Sequence, residues 1–375
     1  MRRADLLRDR RVGLLSHQAA VGSSGVPTAL LLRRALGDRL VALFGPEHGY
    51  FGLAGAGEET TSERHPDWGI PIHSLYGETR KPTAAMLRGV DLLVFDLQDL
   101  GVRCYTYLAT LSLAMEACVE TGTPLLVLDR PVPYHGRADG PRLHPGWESF
   151  VAPLDVPMAH GMTPGEAALW MARRRGCEAW VDVARMEGYR EGDEPTTFVP
   201  PSPGIATPET ALTYPATVFS EALPVLDHGG GKTLSFQLLA LPGLRAEALC
   251  EAFTDAFPPA RGAVLAPYRY VGASKRYAGR ALDGVRLVVT RPRVFRPILA
   301  SLHLAAALTQ LTGKDLWTTD DAHPEWFSKL YGGPETLARL RDGESPDAIA
   351  RSWPRFTDRV CLYESRSTTP SGPSR

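Results

Sequence analysis

Residues 45–49, Gly-Pro-Glu-His-Gly, set a carboxylate beside an imidazole, between a proline and glycines, directly after an apolar run at 40–44. Such a corner suits a positioned reactive group, because both side chains can carry and release protons and the flanking residues restrict the backbone. Three other apolar runs end in the same manner. Ser16, His17 and Gln18 follow the run at 11–16, and Asp96, Gln98, Asp99, Arg103, Tyr105 and Tyr107 follow that at 90–97. Asp129 and Arg130 follow the run at 124–129, while Glu58 and Glu59 lie on the glycine-rich loop beyond His48. This supply of carboxylates and donors fits general acid–base work on a polar ligand. Plainer roles remain open for each group. Glu47 and His48 could form a solvated loop, Asp96 and Asp99 could cap the next helix, Asp129 and Arg130 could close a turn by an internal salt bridge, and His160 could merely introduce the helix after Thr163. Glu47, His48 and Asp96 could also hold a metal, although their spacing is generic.

Those residues need elements to hold them. Strand-like runs at 11–16, 39–44, 90–97, 124–129 and 179–186 alternate with helical patterns at 25–36, 81–89, 106–122 and 163–176. Thr163 with Glu166 forms the capping-box arrangement at the start of the last helix. Short, wholly apolar strands between helices imply a parallel sheet covered on both faces, a Rossmann-like doubly wound α/β layout. In such sheets ligands bind beyond the carboxyl ends of the strands, which is where these polar groups fall. Residues 190–230 are rich in Pro, Gly and Thr and read as a functional loop. A strand at 284–290 and a helix at 297–311 then predict a smaller α+β domain. The expected division is 1–200, 201–365 and a disordered tail at 366–375.

Composition narrows the classes. The 375 residues are 44% hydrophobic and 22% charged, with a formal net charge of −1, so nothing favours a nucleic-acid or membrane partner. Five scattered cysteines without CxxC fit a reducing compartment. The first residues contain no apolar stretch long enough for a signal peptide, and a cytoplasmic protein is expected. No GxGxxG follows the first strand, and HExxH and GxSxG are missing. GGGKT at 229–233 lacks the Walker glycine at 226, which is Leu226, and follows no strand, so it is not read as a P-loop.

Five segments together carry a family resemblance: LFGPEHGYFGLAGAGEE, IPIHSLYGETRKPTAAMLRGVDLLVFDLQDLGVRCYTYLATL, LVLDRPVPYHG, AHGMTPGEAAL and PPSPGIATPETALTYPATVFSEAL. In this order they resemble the exo-β-N-acetylmuramidase family over residues 11–331. The resemblance implies a glycosidase removing β-1,4-linked N-acetylmuramic acid from the non-reducing end of peptidoglycan fragments, without a cofactor. It also implies a Rossmann-like domain and a smaller C-terminal domain with the active site in the cleft between them. The substrate would be a muramic-acid-containing disaccharide or muropeptide. Positions matching the family's motifs are Glu47, His48, Glu58, Asp96, Gln98, Asp99, Arg103, Tyr105, Tyr107, His160 and Glu221. The chain departs from the family's pattern at His17, Phe51, Gly204, Ala222 and Gly230.

Glycoside cleavage needs an acid to protonate the leaving oxygen and a second group at the anomeric carbon. On this reading Glu47 is the acid, and the second group is Glu58, Asp99 or Asp96, or else the sugar's own 2-acetamido group. His48 or His160 would bind hydroxyls, Tyr105 and Tyr107 would face the ring, and Gln18, Gln98 and Glu221 would complete the sugar site. Arg103, or Arg130 in its place, would pair with the lactyl carboxylate. A glycan-binding protein without chemistry, a glycosidase for another amino sugar and a metal-dependent hydrolase are the alternatives.

Overall fold

The computed structural model describes residues 4–193, 197–272 and 276–365; the tail expected at 366–375 lies outside them. The apolar runs become strands buried from both sides, because successive side chains point to opposite faces and both faces are covered. In order come β1 (Val12–Ser16), α1 (Thr28–Leu36), β2 (Leu40–Gly45), β3 (Glu63–Arg64), β4 (Pro71–Ser74), β5 (Leu92–Asp96), α2 (Tyr107–Thr121), β6 (Leu125–Leu128), α3 (Pro164–Arg175) and β7 (Val181–Ala184). They form one seven-stranded sheet in the order β3-β4-β2-β1-β5-β6-β7, parallel except for β3 at the edge. Leu14 and Val94 pack beneath α1 with Leu32, whereas Leu15 and Phe95 pack against Met115 of α2 and Ala168 of α3. The doubly wound reading therefore holds.

The chain runs from β1 outward through β2 to β4, then crosses to β5 on the other side of β1. The reversal places a crevice beyond the carboxyl ends of β1 and β5, where such sheets bind ligands. Ser16 and Asp96 are register partners at that edge.

Three local expectations change. Residues 81–89 make turns and no helix, since Pro82 and Gly89, the latter at φ 78°, leave too few residues between them for a stable helix. The strand β4 was not legible, being four residues long with a proline at its first position, where no ladder N–H is needed. Within the supposed loop lies α4 (Pro208–Thr217), capped by Thr207 and continuing into a 3-10 turn over Val218–Ala222; its threonines and Pro215 hid the helical pattern.

The second part adds β8 (Leu238–Leu239), α5 (Ala246–Ala256), β9 (Ala263–Val271), β10 (Ala281–Val289), α6 (Pro297–Thr312), α7 (Pro324–Tyr331), α8 (Glu335–Arg341) and α9 (Pro346–Arg351). Its antiparallel sheet runs β8-β10-β9. Phe219, Phe253, Ile298 and Phe327 belong to the same apolar cluster as Phe95 and Met115, so both parts share one core. Among the described residues no helix is long and apolar enough to cross a membrane.

Arg103 locks the joint. It is fully buried and donates to the carbonyls of Pro141 (3.1 Å), Val156 (2.6 Å) and, on α7, Leu330 (3.0 Å). Gly332 admits it: a Cβ there would lie 2.7 Å from the Arg103 Nη2. Replacing Arg103 by Met leaves the Val156 and Leu330 carbonyls without this donor, and the Pro141 carbonyl with the Met158 N–H alone. A loss of about 2 kcal/mol or more is expected in urea unfolding at pH 7, because each orphaned buried group costs roughly 1–3 kcal/mol. A loss below about 1 kcal/mol would mean that water reaches these carbonyls.

Candidate active site

The corner after β2 is held from several directions. Gly45 must be glycine, since a Cβ would lie 2.5 Å from the Tyr50 amide nitrogen. His48 adopts φ 72°, unusual for a side-chain-bearing residue. Its Nδ1 faces the Ala54 carbonyl at 3.0 Å, and the Ala54 N–H donates to the His48 carbonyl. This pins the glycine-rich loop over Glu47. Both Glu47 oxygens are engaged: the Gly57 N–H donates to Oε1 at 2.9 Å, and the Thr106 hydroxyl donates to Oε2 at 2.6 Å. The Leu75 N–H donates to the Gly45 carbonyl at 2.8 Å and ties the segment after β4 to the same corner. Glu47 is thus a nearly buried carboxyl group presented by the end of β2, the glycine-rich loop and the start of α2 together.

A second carboxylate faces it from the other part of the chain. Glu221, in the 3-10 turn after α4, is held protonated up to about 7, first by burial and further by the charge of Glu47, against a hydrogen bond from Trp326 of α7. A carboxyl that keeps its proton towards neutrality, near a second one hydrogen-bonded at both oxygens, is equipment for acid–base work. The family resemblance placed Glu221 among the binding residues; nothing in 190–230 signals its burial.

The remaining expected residues divide into three groups. Asp96 is fully buried in a two-pronged ion pair with Arg130, whose Nη2 lies 3.0 Å from Oδ2. Arg130 therefore turns to Asp96 and not to Asp129. Asp129 instead accepts from the Gly165 N–H (2.7 Å) and the Thr163 hydroxyl (2.8 Å), anchoring the capping box of α3. Glu58 is exposed and accepts from the Gly55 N–H at 2.8 Å, closing its own loop. Glu47, His48 and Asp96 face different partners, and among the described residues no cluster of three ligating side chains forms.

A second group holds the 200–204 segment beside the cleft. Gln18 donates to the carbonyls of Pro200 (3.0 Å) and Pro201 (3.2 Å), and the Tyr107 hydroxyl donates to that of Pro201 (2.8 Å). Gln98 donates to the Asp99 and Pro131 carbonyls, while its N–H donates to the His17 Nε2 at 2.9 Å. His17 packs edge-on to Tyr107, and Tyr105 to both Tyr107 and Tyr214.

The third group lies behind the cleft. His160 is buried with its Nδ1 accepting from the Met162 N–H (3.2 Å), and burial and then the Arg103 charge hold it down to about 3, so it is neutral. Arg103 serves the joint, and burial lowers it only to about 10, leaving it charged. Asp99 accepts from the Gly101 N–H at 2.7 Å and shapes the turn ahead of α2.

Sequence reasoning missed Thr106 and Tyr76. Both lie in the segment of strongest family resemblance, but a threonine between tyrosines and a lone tyrosine carry no spacing signal. Two departures from the family pattern prove to be neighbours. Gly204 lets the Phe236 ring approach to 3.2 Å of where a Cβ would stand, and that ring stacks on His228, next to the 229–233 segment. Phe51 packs on Tyr50 and His65.

Comparison with known proteins identifies the family. The family model described as "Exo-beta-N-acetylmuramidase NamZ, N-terminal" matches residues 12–209, and its C-terminal counterpart matches 212–359. The peptidoglycan beta-N-acetylmuramidase NamZ of Bacillus subtilis (strain 168) is 34% identical over 352 residues, covering 92% of this chain and 84% of that protein. A DUF1343 family protein of Bacteroides fragilis NCTC 9343 (BF0371) superposes with a TM-score of 0.83 at 28% identity, covering 97% and 96% of the two chains. A second from the same organism (BF0379) gives 0.73 at 24% identity over 96% of each and speaks to the fold.

Asp99 makes the site's electrostatics measurable. Burial pushes its carboxyl from 3.8 up to about 7, against hydrogen bonds from Gly101 and Leu100. The folded state therefore keeps this proton where the unfolded state has lost it, and stability falls as pH rises from about 4 through 7. Asp99→Asn retains the acceptor for Gly101 without titrating. Its unfolding free energy in urea relative to wild type should rise between pH 4 and pH 8, by a few kcal/mol at most, since one pKa unit is worth about 1.4 kcal/mol. An equal difference at both pH values would show that Asp99 ionises freely in the fold.

Proposed function

We infer the reaction from family and site together: the chain belongs to the exo-β-N-acetylmuramidase family, and its cleft sets Glu47 against Glu221. It is a glycosidase of that family, and its substrate is a terminal β-linked N-acetylmuramic acid on a peptidoglycan fragment. The observation that carries the mechanism is that burial holds the Glu221 proton up to about 7 within electrostatic reach of Glu47, both of whose oxygens accept hydrogen bonds. Glu221, protonated up to about 7, donates its proton to the leaving oxygen as the anomeric C–O bond breaks. Glu47, fixed by Gly57 and Thr106, opposes the positive charge that develops on the sugar ring. Water then adds hydroxide to the anomeric carbon and returns a proton to Glu221. This gives Glu221 the donor role that the sequence pattern suggests for Glu47. A role in cell-wall fragment turnover goes with that substrate, and five free cysteines, three of them buried, suit a reducing cytoplasm.

Leaving-group dependence separates the two roles. Glu221→Gln should lower turnover of a muramic-acid disaccharide by about 100-fold or more, yet spare the nitrophenyl glycoside, whose leaving group needs little protonation. Glu47→Gln should abolish both. In wild type, turnover of the disaccharide should fall as pH rises through about 7, and Glu221→Gln should lack that limb. Equal loss of both substrates in Glu221→Gln would remove it from the donor role. Binding of muramyl fragments without turnover in wild type would make the chain a glycan-binding protein.

A further inference from the structure

Neither arginine expected from the sequence to meet a lactyl carboxylate is free to do so: Arg103 is buried on three carbonyls and Arg130 is paired with Asp96. The cleft nevertheless carries Glu47 and Glu221, with Glu58 and Glu59 on the glycine-rich loop. An anionic sugar entering such a place would be repelled unless a cation faced it.

Arg80 is that cation. Its guanidinium lies 4.5 Å from the centre of the Tyr76 ring and 4.3 Å from that of Phe150, and the residue is exposed. Among the described residues it enters no ion pair, whereas its neighbour Lys81 holds Glu116 at 2.7 Å and Glu120 at 2.9 Å on α2. The backbone around it is fixed, because the Thr79 hydroxyl donates to the Lys81 carbonyl and accepts from the Lys81 N–H. Aromatic faces hold a guanidinium in place while leaving its N–H edge available for a planar, two-pronged carboxylate contact. Tyr76 follows Leu75, whose N–H donates to the Gly45 carbonyl at 2.8 Å, and Ser74 is the register partner of Gly45, so the ring beneath Arg80 stands beside the corner that carries Glu47. In N-acetylmuramic acid a single ring carbon separates the carbon bearing the lactyl ether from the anomeric carbon. With Glu47 at the anomeric centre, a sugar whose C3 side faces Tyr76 reaches Arg80 with its lactyl arm.

We propose that Arg80, resting on the adjoining rings of Tyr76 and Phe150, is the specificity-determining residue that pairs with the lactyl carboxylate of the muramic sugar. The assignment rests on the glycosidase reading given above. It makes Tyr76 the residue that orients the recognising cation.

A substrate-by-residue cycle tests it. Wild type, Arg80→Met and Arg80→Lys are assayed on the nitrophenyl β-glycosides of N-acetylmuramic acid and of its lactyl carboxamide, which differ in charge and hardly in bulk. Wild type should favour the acid by about 30-fold in kcat/KM, the worth of a charge-assisted two-pronged pair. Arg80→Met should lose that preference, mostly through KM, and Arg80→Lys should keep part of it. Equal losses on both substrates in Arg80→Met would overturn the proposal, as would a wild type indifferent to the carboxamide. Calorimetric binding of free N-acetylmuramic acid and N-acetylglucosamine separates this contact from the hydrolase reading. Absent turnover with Arg80-dependent preference for the acid removes the reaction and keeps the contact; preference that survives in Arg80→Met removes the contact.

Discussion

The buried guanidinium of Arg103 is the constraint on which the cleft depends. Its donors reach two segments after β6 and the carbonyl of Leu330 on α7, so the loop that leads from β5 into α2 cannot move without the second part of the chain. Thr106, which fixes Glu47, follows Arg103 by three residues; Glu221 takes its bond from Trp326, on the same helix α7 as Leu330. The two carboxyl groups are therefore referenced to one charged strut. A guanidinium suits that position because it remains charged when buried and offers several donors in a rigid plane.

The acids of the site have different surroundings. Glu47 meets donors at both oxygens, Glu221 loses solvent beside the charge of Glu47, and Asp99 turns on its own backbone. Burial lifts Glu221 and Asp99 alike to about 7, and the donors aimed at both oxygens are what set Glu47 apart. The ion pair of Asp96 with Arg130 stands apart: it joins the ends of β5 and β6 beneath the crevice and takes both groups out of contention.

Much of the sheet was legible because its signal is local. Five apolar runs of strand length became β1, β2, β5, β6 and β7, and Thr163 with Glu166 capped α3 as a capping box should. Where the signal was weak the reading failed. Pro82 and Gly89 cut short the helix expected at 81–89, β4 is only four residues long, and α4 is masked by prolines and threonines whose capping bonds form only in place.

The sequence by itself determined the sheet class, the corner at 45–49 and the family, because these rest on hydrophobic period, on proline and glycine, and on long ordered motifs. Only the tertiary structure decided what each polar residue meets. Arg80 and Arg103 are both arginines after a strand, yet one lies fully buried on carbonyls and the other is exposed on two aromatic rings. Glu221 gains its proton from a burial that segments distant along the chain create together. Desolvation and charge coupling depend on distances through space, and spacing along a chain does not encode them.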